Sequence, residues 1–157
     1  MIRRAVEEDI PSIQKLLYQV QEVHAKGRPD LFQIGGYKYT AEQLRAILPD
    51  DERPVYVYLD EKEELKGYAF LMYERVEKGS TSLVPHTTLY IDDLCVEENA
   101  RGQHIGEQLY HFVLEEAKRT GCYRVTLHVW DCNPGAMAFY EKMGLFPVNR
   151  TLEKILA

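Results

Sequence analysis

The sequence predicts an α/β fold in which helices pack against a sheet. Three observations carry that prediction: short stretches of alternating polarity, longer stretches with apolar residues at helical spacing, and the order of the two. Alternation with period two marks a strand, and a recurrence near 3.6 marks an amphipathic helix. Along the chain the order is strand, helix, helix, three strands, helix, strand, helix, strand. The 157 residues suit a single domain with its own core, so 1–157 is read as one unit.

Each element has its own signal. Ile2 to Val6 reads as a short strand. Asp9 is placed to cap the next helix, with Pro11 in its first turn, where a missing N–H costs nothing. Ile10, Ile13, Leu16, Leu17, Val20 and Val23 then form one apolar stripe. His24 to Tyr39, with Gly27, Pro29, Gly35 and Gly36, reads as a long loop, and loops of that length often carry function. Thr40 to Leu48 is a second short helix. Val55 to Leu59 and Gly67 to Tyr73 read as an antiparallel hairpin around the acidic turn Asp60 to Glu64, and Glu77 to Pro85 as a polar loop. Thr88 to Val96 is an apolar strand interrupted by Asp92 and Asp93. A helix with Ile105, Leu109, Phe112, Val113 and Ala117 on one face follows, then an alternating strand through Val125, Leu127 and Val129. Ala136, Phe139, Tyr140 and Met143 mark the last helix, and Phe146 to Leu156 is expected to supply one or two closing strands.

Composition removes several classes of function. Acidic residues outnumber basic ones 25 to 19, a formal charge of -6, whereas a nucleic-acid protein usually presents a basic face. Cys95, Cys122 and Cys132 are odd in number and show no CxxC spacing, so neither a disulfide framework nor a zinc site is suggested, and no metal is expected. Reduced thiols fit a cytoplasmic protein. The N-terminal residues lack the apolar run of a signal peptide, and no stretch is long enough to span a bilayer, so no membrane partner is expected.

One segment stands out chemically. Arg101-Gly102-Gln103-His104-Ile105-Gly106 joins a strand to a helix. The first turn of a helix leaves backbone N–H groups unpaired at the positive end of its dipole, and glycines let an anion approach the backbone. A pyrophosphate is the natural ligand, with Arg101 adding a charged contact. A plain strand–helix connection explains the same glycines, and the segment matches neither GxGxxG nor the P-loop GxxxxGK[ST].

A second segment decides between these readings. Asp92-Asp93-Leu94-Cys95-Val96 with the glycine turn after it resembles the strand and [QR]xxGx[GA] loop of the GNAT acetyltransferase superfamily. Asn133 to Leu145, including Ala136, Tyr140 and Gly144, resembles that superfamily's NxxAxxxYxxxGF segment, and the resemblance extends over nearly the whole chain. One departure is His104, which stands where the pattern has glycine; another is Leu145 in place of phenylalanine.

The resemblance implies a three-layer α/β/α fold whose mixed, largely antiparallel sheet splays at the cofactor. It implies an N-acetyltransferase using acetyl-CoA. Leu94, Cys95 and Val96 would line the cofactor's arm, with backbone groups offered by Leu94 and Val96. The amides from Gln103 to Gly106, beside Arg101 and Gly102, would hold the pyrophosphate, and Ile105 falls within that run. Asn133 would contact the arm, and Tyr140 would sit beside the sulfur. His24, Arg28, Asp30 and Tyr37 lie in the loop with which relatives shape the acceptor pocket, and homodimers are common among those relatives. A non-catalytic CoA-binding or sensing module is the alternative, and it would not need Tyr140.

Acetyl transfer to an amine sets chemical demands. An amine with a pKa of about 10.4 is only ~0.04% neutral at pH 7, so a base is required. The departing thiolate needs a donor, and Tyr140 is the candidate, although the spacing of Ala136, Phe139, Tyr140 and Met143 also fits a core aromatic. Asp92 is the candidate base or relay. Adjacent residues point to opposite faces of a regular strand, so only one of Asp92 and Asp93 is expected to face the site, and the resemblance selects Asp92. Arg28 and Asp30 also fit a surface ion pair, and Cys95, with no base beside it, fits a strand residue.

Overall fold

The alternation of Val55 to Leu59 builds β2 (Val55–Leu59), with odd residues buried on one face and the two tyrosines half-buried on the other, in a computed structural model describing residues 1–156. β3 (Leu65–Val76) pairs antiparallel with it, and its centre, Tyr68 to Leu71, is buried on both faces. β1 (Ile2–Arg4) extends the sheet beyond β2, and β4 (His86–Val96) extends it beyond β3, both antiparallel. β5 (Arg124–Leu127) runs parallel to β4 and completes the order β1-β2-β3-β4-β5.

Helices cover both faces, as a sheet buried on two sides requires. Ile13, Leu16 and Leu17 of α1 (Ile10–Gly27) and Leu44 of α2 (Ala41–Ile47) meet Val55, Val57, Tyr68 and Phe70 in one core. Ile105, Leu109 and Val113 of α3 (Ile105–Arg119) meet Ala69, Leu71, Leu89 and Ile91 in the other, with Phe139 and Met143 of α4 (Pro134–Lys142) against them. The result is a three-layer α/β/α arrangement around a mixed, largely antiparallel sheet, as the resemblance implied.

The feature that positions the site is a bulge in β4. Phe70 pairs with Asp93 and its neighbour Leu71 with Ile91, so Asp92 is one residue more than the ladder needs. The faces record the shift: Leu89 and Ile91 join the α3 core, and so do Leu94 and Val96, while Cys95 joins the α1 core. Pairing with β5 stops at Ile91, one residue before the bulge. From there to its end β4 is bonded on one side.

Three expectations need correction. α1 continues through His24 to Gly27, so the loop starts at Arg28; a Cβ on Gly27 would run into the Cys132 side chain, and the helix packs there because it ends in glycine. Asp9 does not cap α1; its carboxylate takes two hydrogen bonds from the Arg3 guanidinium (2.7 and 3.0 Å) and one from the Val6 N–H (2.8 Å). Phe146 to Leu156 forms no strand, because its backbone groups meet no acceptor or donor within the chain.

Candidate active site

A gap opens where β4 and β5 part. The Glu97 N–H bonds to the Lys66 carbonyl at 2.7 Å, so by alternation the backbone groups of Leu94 and Val96 turn away from β3 toward the gap. Cys95 does not belong to this edge. Its backbone faces β3, and its thiol lies in the α1 core, where burial pushes its pKa up to about 12, with the charge of Asp93 adding to the shift. That removes Cys95 as a nucleophile and as a side-chain contact to anything in the gap.

The start of α3 forms one wall. From Gly102 to Glu107 no backbone N–H finds an acceptor among the described residues, and no side chain caps the helix. These are the orphan donors of a helix terminus, extended by the loop before it. Gly102 and His104 are left-handed, with φ of 83° and 59°. His104 therefore adopts the backbone conformation for which glycine is the natural residue, at a cost of roughly 1–2 kcal/mol. Its ring turns outward and meets Glu107 at 3.1 Å. The Gly106 Cα faces Val96 and Phe139, and a Cβ there would meet both at 3.5 Å, which sets the free amides beside the open end of β4. Arg101 lies toward α1, lining a recess of about 70 Å3 with Glu22, Lys26 and Glu98. Such an array fits a pyrophosphate: donors, dipole and an arginine converge, and no carboxylate accepts from the amides.

Two carboxylates form the floor, on the same face. The bulge lets both Asp92 and Asp93 turn toward α1, which overturns the expectation from regular alternation. Asp92 accepts from the Tyr39 hydroxyl and from the Lys38 ammonium, the latter at 2.8 Å. Tyr39 stacks on Phe70, and burial and the bond to Asp92 raise its phenol pKa. Asp93 accepts from the Tyr68 hydroxyl at 2.8 Å. Burial pushes its carboxyl up to about 6, against the Tyr68 bond and the Lys38 charge, with Asp92 raising it further. A carboxyl poised there can hold or release a proton near neutrality.

Tyr140 projects from α4 and is buried beside Tyr110 and Phe139. Burial raises its phenol pKa, and the charges of Asp93 and Cys95 add to the rise. Its hydroxyl makes no hydrogen bond among the described residues, so the expected alternatives, core aromatic and donor, coexist in one side chain. Asn133 caps α4, accepting from the Ala136 N–H at 3.3 Å.

The residues expected to shape an acceptor pocket divide into two groups. His24 stacks against Phe32, which meets Trp130 edge-on, and burial followed by the nearby Lys38 lowers its pKa. Tyr37 packs on Tyr18. Arg28 and Asp30 pair with each other at 2.8 Å, and Arg28 also holds Glu153, so these two form a surface ion cluster. The sequence reasoning missed Lys38, Tyr39, Tyr68 and Asp93 as members of one cluster. Lys38 and Tyr39 adjoin or fall within the loop already singled out; the signal for Asp93 was the apolar spacing in β4, two residues from Leu89 to Ile91 and three from Ile91 to Leu94.

Known proteins match this arrangement. The profile of the acetyltransferase (GNAT) family matches residues 17–145. Over 56 residues the chain is 36% identical to a glucosamine 6-phosphate N-acetyltransferase of Arabidopsis thaliana, a match covering 36% of each. It is 38% identical to thialysine N-epsilon-acetyltransferase of Bos taurus over 56 residues, 36% of this chain and 33% of that one. The matches thus span about a third of these curated relatives. Over its full length the chain resembles the solved structure of a mutant protein of Bacillus halodurans, 29% identical, covering 100% of this chain and 99% of that one, with a TM-score of 0.95. No helix among the described residues is long and apolar enough to cross a membrane.

Proposed function

The chain belongs to the acetyltransferase (GNAT) family, and from that premise we propose that it is an N-acetyltransferase that moves the acetyl group of acetyl-CoA directly to a primary amine. The observation that carries the reading is the run of unpaired N–H groups from Gly102 to Glu107 beside the open end of β4. When bound, acetyl-CoA supplies a thioester as acetyl donor. Arg101 and the amides at the start of α3 would hold its pyrophosphate, and the outward backbone groups of Leu94 and Val96, with the Asn133 side chain, its arm.

Asp92 is the acceptor-facing carboxylate in this reading. The ammonium of Lys38 already rests on it, which supports a cationic amine as the group it receives. Asp92 takes the proton that the amine must lose, and Asp93 behind it, with its carboxyl pushed up to about 6, shares the titration of the pair. Tyr140 donates to the departing sulfur. An ordinary phenol, near 10, is already a weaker acid than an ordinary thiol, near 8.5. The raised pKa of Tyr140 widens that gap, so its contribution is a hydrogen bond to the forming thiolate rather than complete transfer. The relatives named for glucosamine 6-phosphate and thialysine both act on primary amines, and a small-molecule or protein amine of that class is the proposed acceptor. A soluble protein of the cytoplasm, acting without nucleic acid, suits such a substrate.

Two measurements test the reading. Acetyl-CoA at millimolar concentration should raise the melting temperature, and Gly106→Glu, which sets a carboxylate against the pyrophosphate, should abolish the rise. A panel of primary amines should then include one that accelerates release of free CoA. No thermal shift in the wild type overturns cofactor use; a shift with no amine-dependent release leaves the CoA-binding module instead.

A further inference from the structure

The eleven residues from Phe146 to Leu156 have the pattern of a strand and the surroundings of none. Phe146, Val148, Leu152 and Leu156 fall on alternate positions, with Arg150 and Lys154 between them, and the four apolar side chains are 78, 66, 89 and 91% exposed. No backbone group of the segment bonds to another described residue. Glu153 to Arg28 is its one side-chain hydrogen-bonded contact among the described residues. A single solvent-facing ion pair does not offset the entropy of ordering so many residues.

The other half of the observation is the edge of β5. Tyr123 donates its N–H to the Thr87 carbonyl at 2.8 Å, so alternation turns the backbone groups of Arg124, Thr126 and His128 outward, with no strand beyond them among the described residues. A groove of about 520 Å3 lined by Val84, Pro85, His86, Tyr123 and Arg124 lies at the start of this edge. Its apolar members Val84 and Tyr123 are 79 and 81% exposed. The chain's own tail does not fill the edge: it leaves α4 through the left-handed Gly144 and is drawn to Arg28 at the end of α1.

We propose that two copies of the chain form a two-fold dimer in which each C-terminal segment, Phe146 to Leu156, pairs as a strand with the outer edge of β5 in the other copy. Each copy offers one tail and one edge, so the exchange closes at two. Strand addition satisfies the outward groups of β5 and the tail together, and removes an exposed edge that would otherwise recruit other chains. The area is sufficient. Large apolar side chains offer on the order of 150 Å2 each, so two tails with the surfaces that receive them reach the ~1,600 Å2 of a stable interface. The exchange goes beyond acetyl transfer and does not depend on it.

Sedimentation velocity on the full chain at micromolar concentration should show a species of two chains. Val148→Lys combined with Leu152→Lys changes side chains that join neither core of their own domain. It should weaken the dimer by at least roughly 30-fold while far-ultraviolet circular dichroism stays the same. Thr126→Pro, which deletes one outward N–H from the receiving edge, should weaken it as well. In the wild type, amide exchange over Phe146 to Leu156 should be slow, and in the double variant fast. A wild type that sediments as a monomer at tens of micromolar overturns the proposal. So does a dimer that survives both variants, or a tail that exchanges at the same fast rate in wild type and double variant.

Discussion

The sheet leaves backbone groups unpaired in two places, and the surroundings of the two are unlike. At the C-terminal half of β4, Leu94 and Val96 open onto a gap walled by the start of α3 and by Tyr140 of α4, with two carboxylates on its floor. At the outer edge of β5, Arg124, Thr126 and His128 face solvent beside Val84 and Tyr123, and nothing encloses them. Backbone chemistry is the same in both. Enclosure and side chains differ, and they select the occupant: a bounded polar gap suits a finite ligand, and an unbounded apolar edge suits another strand.

Tyr140→Phe is the sharpest way to break that comparison. It keeps the ring and its contacts with Tyr110 and Phe139 and deletes the hydroxyl in the gap. Turnover with the best amine should fall by roughly 10²-fold, with acetyl-CoA affinity and sedimentation unchanged. A loss within about threefold, with chemistry rate-limiting, would remove the phenol from the reaction and leave Tyr140 a packing residue.

A smaller effect concerns the stability that the gap costs. The Asp93 carboxyl is raised to about 6 in the fold, above its ordinary 3.8, so the folded chain binds that proton more tightly than the unfolded one. Its stabilising contribution is fully present below the ordinary value and is lost as pH rises through about 6. Asp93→Asn should therefore melt several degrees above wild type at pH 7.5, an effect on the order of 2–3 kcal/mol, and at the same temperature near pH 4. Thermal melts across that range decide it; identical curves at both ends would mean that the carboxylate is solvated. Nothing comparable is expected at the β5 edge.

The smallest effect is at His104. Replacing it with glycine relieves the left-handed backbone, worth roughly 1 kcal/mol, partly offset by the greater freedom of glycine in the unfolded chain. The melting temperature should rise by a few degrees at most. A fall would show that the contact with Glu107 outweighs the strain.

How much of this was legible in the sequence follows from how local each feature is. Helix stripes, the β2–β3 hairpin and the glycine turn before α3 are each set within a few residues, and they could be read directly. The bulge could not be read as a bulge, because Tyr90 to Val96 contains no glycine or proline to mark it. Its effect was nonetheless written in the spacing of Leu89, Ile91, Leu94 and Val96. Asp93 was set aside because regular alternation was assumed across that irregular spacing. Lys38 and Tyr39 were in view, yet their meeting with Asp92 spans more than fifty residues and no local pattern encodes it. The tail is the converse case. Its strand periodicity is local and was read; the identity of the strand it pairs with is not a property of the tail.

The surplus residue in β4 also separates folding from chemistry. Delete Asp92, and Leu89, Ile91, Leu94 and Val96 fall into simple alternation on the α3 face, while Asp93 and Cys95 keep the α1 face. Every apolar side chain stays where its core needs it. The losses are one of the two carboxylates, the partner of Lys38 and Tyr39, and the bend with which a bulged strand leaves its neighbour. A foldable chain without the acceptor site thus lies a single codon away, and the same step in reverse, one inserted residue in an ordinary strand, is enough to begin building the site in a sheet that never had it.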